Sequence, residues 1–160
     1  MQHEDPRWHS AVAVERPELL ELHKKWQDWA RVESIPLRPQ FDPIDFPRLL
    51  PWMVLAEVLP EAPGFDARLR YLGSEFVHYF NSGNLTGKRL SDLDPIFVRR
   101  WSEVGEKIVA ARAPQFFHGA PFMVDKAFVQ FEMLALPLSK AGQAVDFLIL
   151  AMAMNPRAGG

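Results

Sequence analysis

The stretch from Trp52 to Gly87 constrains the fold of this chain more than any other part of the sequence. It contains two apolar segments that predict strands, Met53 to Leu59 and Phe65 to Leu72, joined by a turn rich in proline and glycine. Gly73 ends the second strand, and Ser74 is a favourable N-cap for the short helix that follows. A strand hairpin that leads directly into a helix indicates an α+β fold.

The rest of the chain adds one longer helix and three strands. The helix is predicted from Pro95, a residue favoured in a first turn, to just before Pro114. The strands are predicted over Gln115 to Phe122, Ala127 to Leu138 and Ala144 to Met154. The last strand is apolar at nearly every position, which indicates a central strand or one covered on both faces. The element order therefore predicts an α+β fold with a five-stranded antiparallel sheet and helices on one face.

An amphipathic N-terminal helix precedes this sheet. Its apolar stripe recurs at spacings of three and four and includes Leu19, Leu22, Trp26 and Trp29. The stripe fits two interpretations, a face that covers the protein's own core and a short seam between two copies in a homodimer. The predicted organisation is a flexible arm, this helix, one domain and a frayed tail, over residues 1–16, 17–34, 35–154 and 155–160.

Composition excludes several classes of site. The chain has no cysteine, so disulfides, thiolate catalysis, cysteine-ligated metals and cysteine-dependent flavin photochemistry are excluded. With 18 basic and 20 acidic residues, no charge excess favours nucleic acid or an anionic membrane. The first residues lack the apolar region of a signal peptide, and no apolar run is long enough for a membrane span. We therefore expect a cytoplasmic protein.

Several short motifs follow one another in a characteristic order: Asp42-Pro43, Leu49-Leu50-Pro51-Trp52, Arg70-Tyr71-Leu72-Gly73-Ser74, Leu85-Thr86-Gly87 with Leu90, and Leu136-Pro137-Leu138-Ser139 with Gly142. In this order the motifs resemble the PAS domain family, over roughly residues 18–153. The chain looks most similar to small bacterial proteins that consist of little more than one PAS-like domain.

The resemblance implies signal sensing or protein–protein interaction, with a small ligand often bound between helices and sheet. It also implies dimerisation through an N-terminal helix. Two departures from the family pattern affect the output. The last strand ends in Ala151 to Asn155 rather than in an Asp-Ile-Thr-like motif, and we expect no output domain to follow it. We therefore expect a separate partner protein to receive the signal.

No residue constellation predicts catalysis. Ser74 lacks the flanking residues of a nucleophile elbow and is explained as a helix cap. The carboxylate pairs Asp42/Asp45 and Asp92/Asp94 stand in turns beside prolines, where capping is the usual role. We therefore expect no enzymatic activity.

The five histidines do not predict a metal site, because no two of them have ligand spacing within one helix or strand. By analogy with haem-binding PAS domains, His78 on the short helix is a conceivable axial ligand. Those domains usually take their histidine from the longer helix, where this chain has none. Haem is therefore disfavoured, and the sequence leaves the identity of any cofactor unknown.

Aromatic density is the remaining signal for a site. Eight residues are predicted to face the layer between helices and sheet: Tyr71, Phe76, Phe80, Trp101, Phe117, Phe131, Met133 and Phe147. They fit either a filled core or an apolar cavity for a small molecule. Tyr71 and Arg70 or Gln130 are the predicted polar contacts at the rim.

The sequence therefore predicts a non-catalytic PAS-like sensory or interaction domain that binds a small apolar ligand and acts as a homodimer. Two alternatives stay open. One is a cone-shaped fold of the ketosteroid-isomerase type, which needs a carboxylate or histidine deep inside its pocket. The other is a structural dimer with a filled core and no ligand.

Overall fold

The structure, a computed structural model, describes residues 8–80, 82–119 and 130–155. These residues contain three α-helices: α1 Pro17–Trp29, α2 Ser74–Phe80 and α3 Pro95–Ala111. The strands are β1 Trp8–Ala11, β2 Met53–Val58, β3 Ala67–Leu72, β4 Gln115–Gly119, β5 Gln130–Leu138 and β6 Phe147–Asn155. Short 3-10 turns lie at Arg38–Gln40, Pro43–Asp45, Leu50–Trp52 and Leu90–Asp92. None of these helices is long and apolar enough to cross a membrane.

The strands form one antiparallel sheet in the order β1-β4-β5-β6-β2-β3, which confirms the predicted α+β architecture. The five predicted strands are present as β2 to β6, and the described part of the sheet has one strand more. The additional strand, β1, comes from the segment predicted to be a flexible arm and pairs with the outer edge of β4, Ala11 opposite Phe116. Four residues are too few to show an alternating pattern, but their backbone groups complete the hydrogen bonding of a sheet edge. Two stretches of the predicted strands, 120–122 and 127–129, lie outside the described residues.

The sheet buries apolar side chains on both of its faces. On the first, called the α3 face, α2, α3 and the turn at Leu90–Asp92 pack over side chains that include Leu148, Leu150 and Met152 of β6. On the second, the α1 face, α1 and the segment 41–49 pack over Ile149 and Ala151 of the same strand. The prediction that the last strand is covered on both faces is therefore confirmed.

Helix α1 is fixed to the sheet at both of its ends. At its start, the Glu132 carboxylate accepts hydrogen bonds from the backbone N–H groups of Glu15 and Arg16, both at 2.8 Å. Near its end, the Trp26 indole N–H donates to the Pro137 carbonyl at 2.9 Å. Pro137 lies in the part of β5 that extends past its pairing with β4. The helix ends at Trp29 rather than at residue 34, because the apolar stripe that holds it on the core stops there.

Three of the motifs that carry the family resemblance, those at residues 49–52, 70–74 and 85–87, meet around β3. The Tyr71 hydroxyl donates to the Leu50 carbonyl at 2.9 Å. A Cβ at Gly73 would overlap the Pro51 carbonyl group, so only glycine permits this close backbone approach. On the outer edge of β3, the Gly87 N–H donates to the Leu69 carbonyl at 2.7 Å. These motifs hold the end and the edge of one strand, which is a structural role.

Candidate functional site

A small cavity of about 50 Å³ lies on the α3 face of the sheet. Strands β2, β3 and β6 form its floor, and α2, α3 and the segment 85–93 form its other walls. Sixteen residues line it: Val54, Ala56, Phe65, Ala67, Leu69, Leu72, Phe76, Leu85, Leu90, Leu93, Phe97, Trp101, Val104, Gly105, Leu148 and Leu150.

The lining is apolar throughout. The indole N–H of Trp101 is the only polar side-chain group that the lining residues carry. Burying an ionised or strongly polar group here would cost several kcal/mol, because the lining side chains offer no charge and no acceptor, and at most the one indole donor. The cavity therefore suits an uncharged hydrocarbon-like or aromatic group.

The size of the cavity restricts what it can hold as it stands. A cavity that binds benzene measures about 150 Å³, and ordinary small-molecule sites measure about 300–1,000 Å³. At about 50 Å³, this cavity is too small for benzene or for an ordinary small-molecule ligand unless a side chain of its wall moves. Most of the layer between helices and sheet is thus packed core.

Two of the eight predicted pocket residues line the cavity. The rings of Phe76 and Trp101 lie there with their centroids 5.6 Å apart. The predicted residues Phe117, Phe131 and Met133 are buried in the same α3-face core but do not line the cavity. For Phe80 and Gln130 the structure describes the backbone alone, so their predicted roles lie outside the described residues.

The placement of Tyr71 and Phe147 toward the α3 face is wrong, since both pack against the α1 face. In β3, Leu69 pairs with Ala56 and Tyr71 with Leu55, which leaves Arg70 as the extra residue of a β-bulge. The bulge reverses the alternation, so Tyr71 turns to the face opposite Leu69. The prediction for Phe147 was wrong because β6 is apolar at odd and even positions alike. Its sequence therefore does not indicate which side chains face α3 and which face α1.

The predicted polar contacts at the rim are also turned away from the cavity. Arg70 donates to the Glu57 carboxylate through two guanidinium nitrogens in an exposed ion pair. The Arg70 hydrogen bonds hold the pKa of Glu57 below its ordinary value. The Tyr71 hydroxyl is bonded to the Leu50 carbonyl, and burial raises its pKa.

Asp66, directly before β3, is a buried carboxylate that stands between the lining residues Phe65 and Ala67 in sequence. It accepts hydrogen bonds from the Ser91 N–H at 3.1 Å, the Ser91 hydroxyl at 2.7 Å and the Ala67 N–H at 2.8 Å. Arg89 adds an ion pair at 3.6 Å. Burial acts to raise the pKa of Asp66, but these donors outweigh it and hold the pKa below its ordinary value. Asp66 thereby fixes the turn that carries the lining residue Leu90.

The histidines and carboxylates of the described residues do not cluster as metal ligands. No group of three His, Cys, Asp or Glu side chains among them could hold a metal ion. His78 is not a lining residue, and His118 is exposed on β4. His23 packs on Phe116 with ring centroids 5.2 Å apart, and burial lowers its pKa. Since no lining residue can ligate iron, the cavity does not fit haem.

The proposed dimer seam residues lie mainly inside the chain. Leu19, Leu22 and Trp26 are buried in the α1-face core, and Trp29 is partly buried against it. This arrangement agrees with the interpretation that the stripe covers the protein's own core. A homodimer stays a prediction, and a seam formed by α1 in this conformation would have to use the other side of the helix.

The sequence reasoning missed most of the cavity wall. Leu90 and Phe97 carried a signal, as a motif residue and as part of the α3 stripe. Phe65 carried none, because its contact with Gly105 of α3 joins distant parts of the chain.

A family model described as "PAS domain" matches residues 14–152. No curated protein and no solved structure gives a significant match. The matched region takes in α1, all of the sheet except β1 and the end of β6, and all sixteen residues that line the cavity. The chain therefore belongs to the PAS domain family, a family of sensory and interaction modules.

Proposed function

We propose that this PAS domain is a non-catalytic sensor that takes a small, uncharged apolar molecule into the α3-face cavity and signals to a separate partner protein. The observation that carries the proposal is the lining, in which helices and sheet together present sixteen apolar residues around one space. A site of this composition binds by excluding water from apolar surface and needs no charged group on the ligand.

The roles of the carboxylates support a non-catalytic function. Asp42 and Asp94 accept hydrogen bonds from the N–H groups of Ile44 and Ile96, as caps of a 3-10 turn and of α3. Asp66 and Glu132 bind backbone N–H groups in the same way. None of these four is a lining residue of the cavity.

Strand β5 offers a route from the cavity side to α1. Phe131 and Met133 face the α3-side core, and Glu132 between them binds the start of α1 on the opposite face. A ligand that shifts the α3-side core would thus act on α1 through one strand. We propose that α1, alone or in a homodimer, presents the signal to the partner.

Toluene is a suitable probe because it is uncharged and apolar. At ten times its Kd it should stabilise the protein by about 1.4 kcal/mol, seen as a rise in Tm. Ala67→Val adds two methyl groups to the cavity wall and should reduce that rise. Ala153→Val makes the same change on the α1 face and should leave it intact.

Native and denaturing mass spectra of the purified protein would show any retained small molecule and the subunit count. An unchanged Tm of the natural chain in toluene, together with no retained mass, would overturn the proposal. The structural dimer with a filled core would then stand, an alternative that the small cavity volume favours. The isomerase-like alternative lacks the carboxylate or imidazole that it needs in the cavity lining.

A further inference from the structure

The ring of Phe65 stands directly against the backbone of α3 at Gly105. A Cβ at Gly105 would overlap the outer ring atoms Cζ, Cε1 and Cε2 of Phe65. Glycine in a helix interior costs about 1 kcal/mol relative to alanine. At Gly105 the absence of a side chain is what allows the Phe65 ring to contact the backbone of the helix.

Phe65 belongs to the outer wall of the cavity. Twelve of the sixteen lining residues are buried, and the other four, Phe65, Leu72, Leu85 and Leu93, are partly exposed. Phe65 is the largest of these four, and it is the only one that lies in the loop between β2 and β3. Phe65 thus lines the cavity and is also partly reached by solvent, at the place where this loop meets α3.

The loop fixes one side of Phe65 and leaves the other adaptable. Asp66, the next residue, is held by Ser91 and Ala67. Gly64, the residue before, has φ +82° and has open space around it. Rotation of the Phe65 side chain thus requires no movement of the strand that follows.

We propose that the Phe65 ring is a built-in plug of the cavity, that Gly105 is the position where it packs, and that a ligand enters by displacing the ring. The inference rests on the proposed function, because it assumes that the cavity takes an apolar ligand. The plug explains how a space of about 50 Å³ can serve a larger molecule. The ligand class that it selects is a planar or ring-sized apolar group, able to occupy the space of a phenyl ring.

Two variants test the plug from its two sides. Phe65→Ala removes the ring, and Gly105→Ala leaves the ring but adds the methyl group that must push it out. Toluene is the small probe, and N-phenyl-1-naphthylamine is a larger uncharged probe with fluorescence that rises in apolar sites. Phe147→Ala, a partly buried phenylalanine on the α1 face, is the matched control.

The natural chain should bind toluene slowly and the larger probe weakly. Both variants should bind the larger probe at least ten times more tightly, with association rate constants raised by at least ten, whereas Phe147→Ala should behave as the natural chain. In the double variant, Gly105→Ala should add nothing to Phe65→Ala, because its methyl group acts only through the ring.

The outcomes separate the plug from the proposed function. If the natural chain binds toluene but the variants bind both probes at unchanged rates and affinities, the plug is wrong and the ligand function stands. If only the variants bind, the ring does not open in the natural chain, and both proposals fail. An equal effect of Gly105→Ala with and without Phe65 would also overturn the plug. Gly105→Ala improves helix propensity, so it provides the test even if Phe65→Ala does not fold.

Discussion

At the scale of single residues, the buried polar groups of this domain hold segments of backbone in place. Asp66 illustrates the pattern: it is 6% exposed, and its carboxylate accepts from Ala67, the first residue of β3, and from Ser91 on the turn that carries Leu90. Its lowered pKa means that the folded protein prefers the ionised carboxylate more than the unfolded chain does.

Asp66→Asn should lower the free energy of unfolding at pH 7 by about 1–3 kcal/mol, because it weakens charge-assisted hydrogen bonds in a buried setting. The stabilisation by the natural carboxylate is fully present above the unfolded pKa of about 3.9 and is lost as pH falls through the lower pKa of the folded state. Urea unfolding of both proteins between pH 7 and pH 2 should therefore show a difference that shrinks in acid.

Asp42→Asn provides the control, because Asp42 is an exposed cap and asparagine caps equally well. Its effect should be within a few tenths of a kcal/mol at every pH. A difference between Asp66→Asn and the natural chain that stays constant down to pH 2 would contradict the ionised role of Asp66.

At the scale of elements, local patterns predicted the sheet better than the directions of its side chains. The order of strands and helices followed from turn residues, caps and apolar periodicity, and the central position of β6 followed from its continuous apolar run. The bulge at Arg70 did not follow from such patterns, because it depends on how β3 pairs with β2. The prediction therefore placed Tyr71 on the wrong face of the sheet. Likewise, the contact of Phe65 with Gly105 depends on tertiary packing that the sequence does not display.

The apolar stripe of α1 fitted two roles, a face of the protein's own core and a seam between two copies. Trp26→Ala should lower the free energy of unfolding by about 3–5 kcal/mol, because Trp26 is buried and its indole N–H binds the Pro137 carbonyl. Trp29→Ala should cost less, since Trp29 is only partly buried. Urea unfolding would measure both losses, with light scattering to give the subunit count.

A Trp26→Ala protein that unfolds like the natural chain but changes from dimer to monomer would place the residue in a seam. Unchanged subunit count with a large loss of stability would agree with the core position seen in the structure.

At the scale of the whole molecule, β5 connects two cores that lie on opposite faces of one sheet. Its alternate residues Phe131 and Met133 belong to the α3-face core, whereas Leu134 and Leu136 belong to the α1-face core. Glu132, which is 9% exposed and is the third residue of this strand, accepts from the N–H groups of Glu15 and Arg16 directly before α1. The fold thus joins the cavity side to α1 without any hinge between domains.

Glu132→Ala should loosen the start of α1, because it leaves the N–H groups of Glu15 and Arg16 without their acceptor at a cost of about 1–3 kcal/mol. Hydrogen exchange should speed up across residues 15–20 while the α3 face keeps its protection. In the natural chain, toluene should alter exchange in α1 as well as around the cavity, and in Glu132→Ala the response of α1 should disappear. Glu103→Ala, on the exposed side of α3, should leave that response unchanged. If α1 responds equally in Glu132→Ala and in the natural chain, the two faces communicate by a route that does not include Glu132.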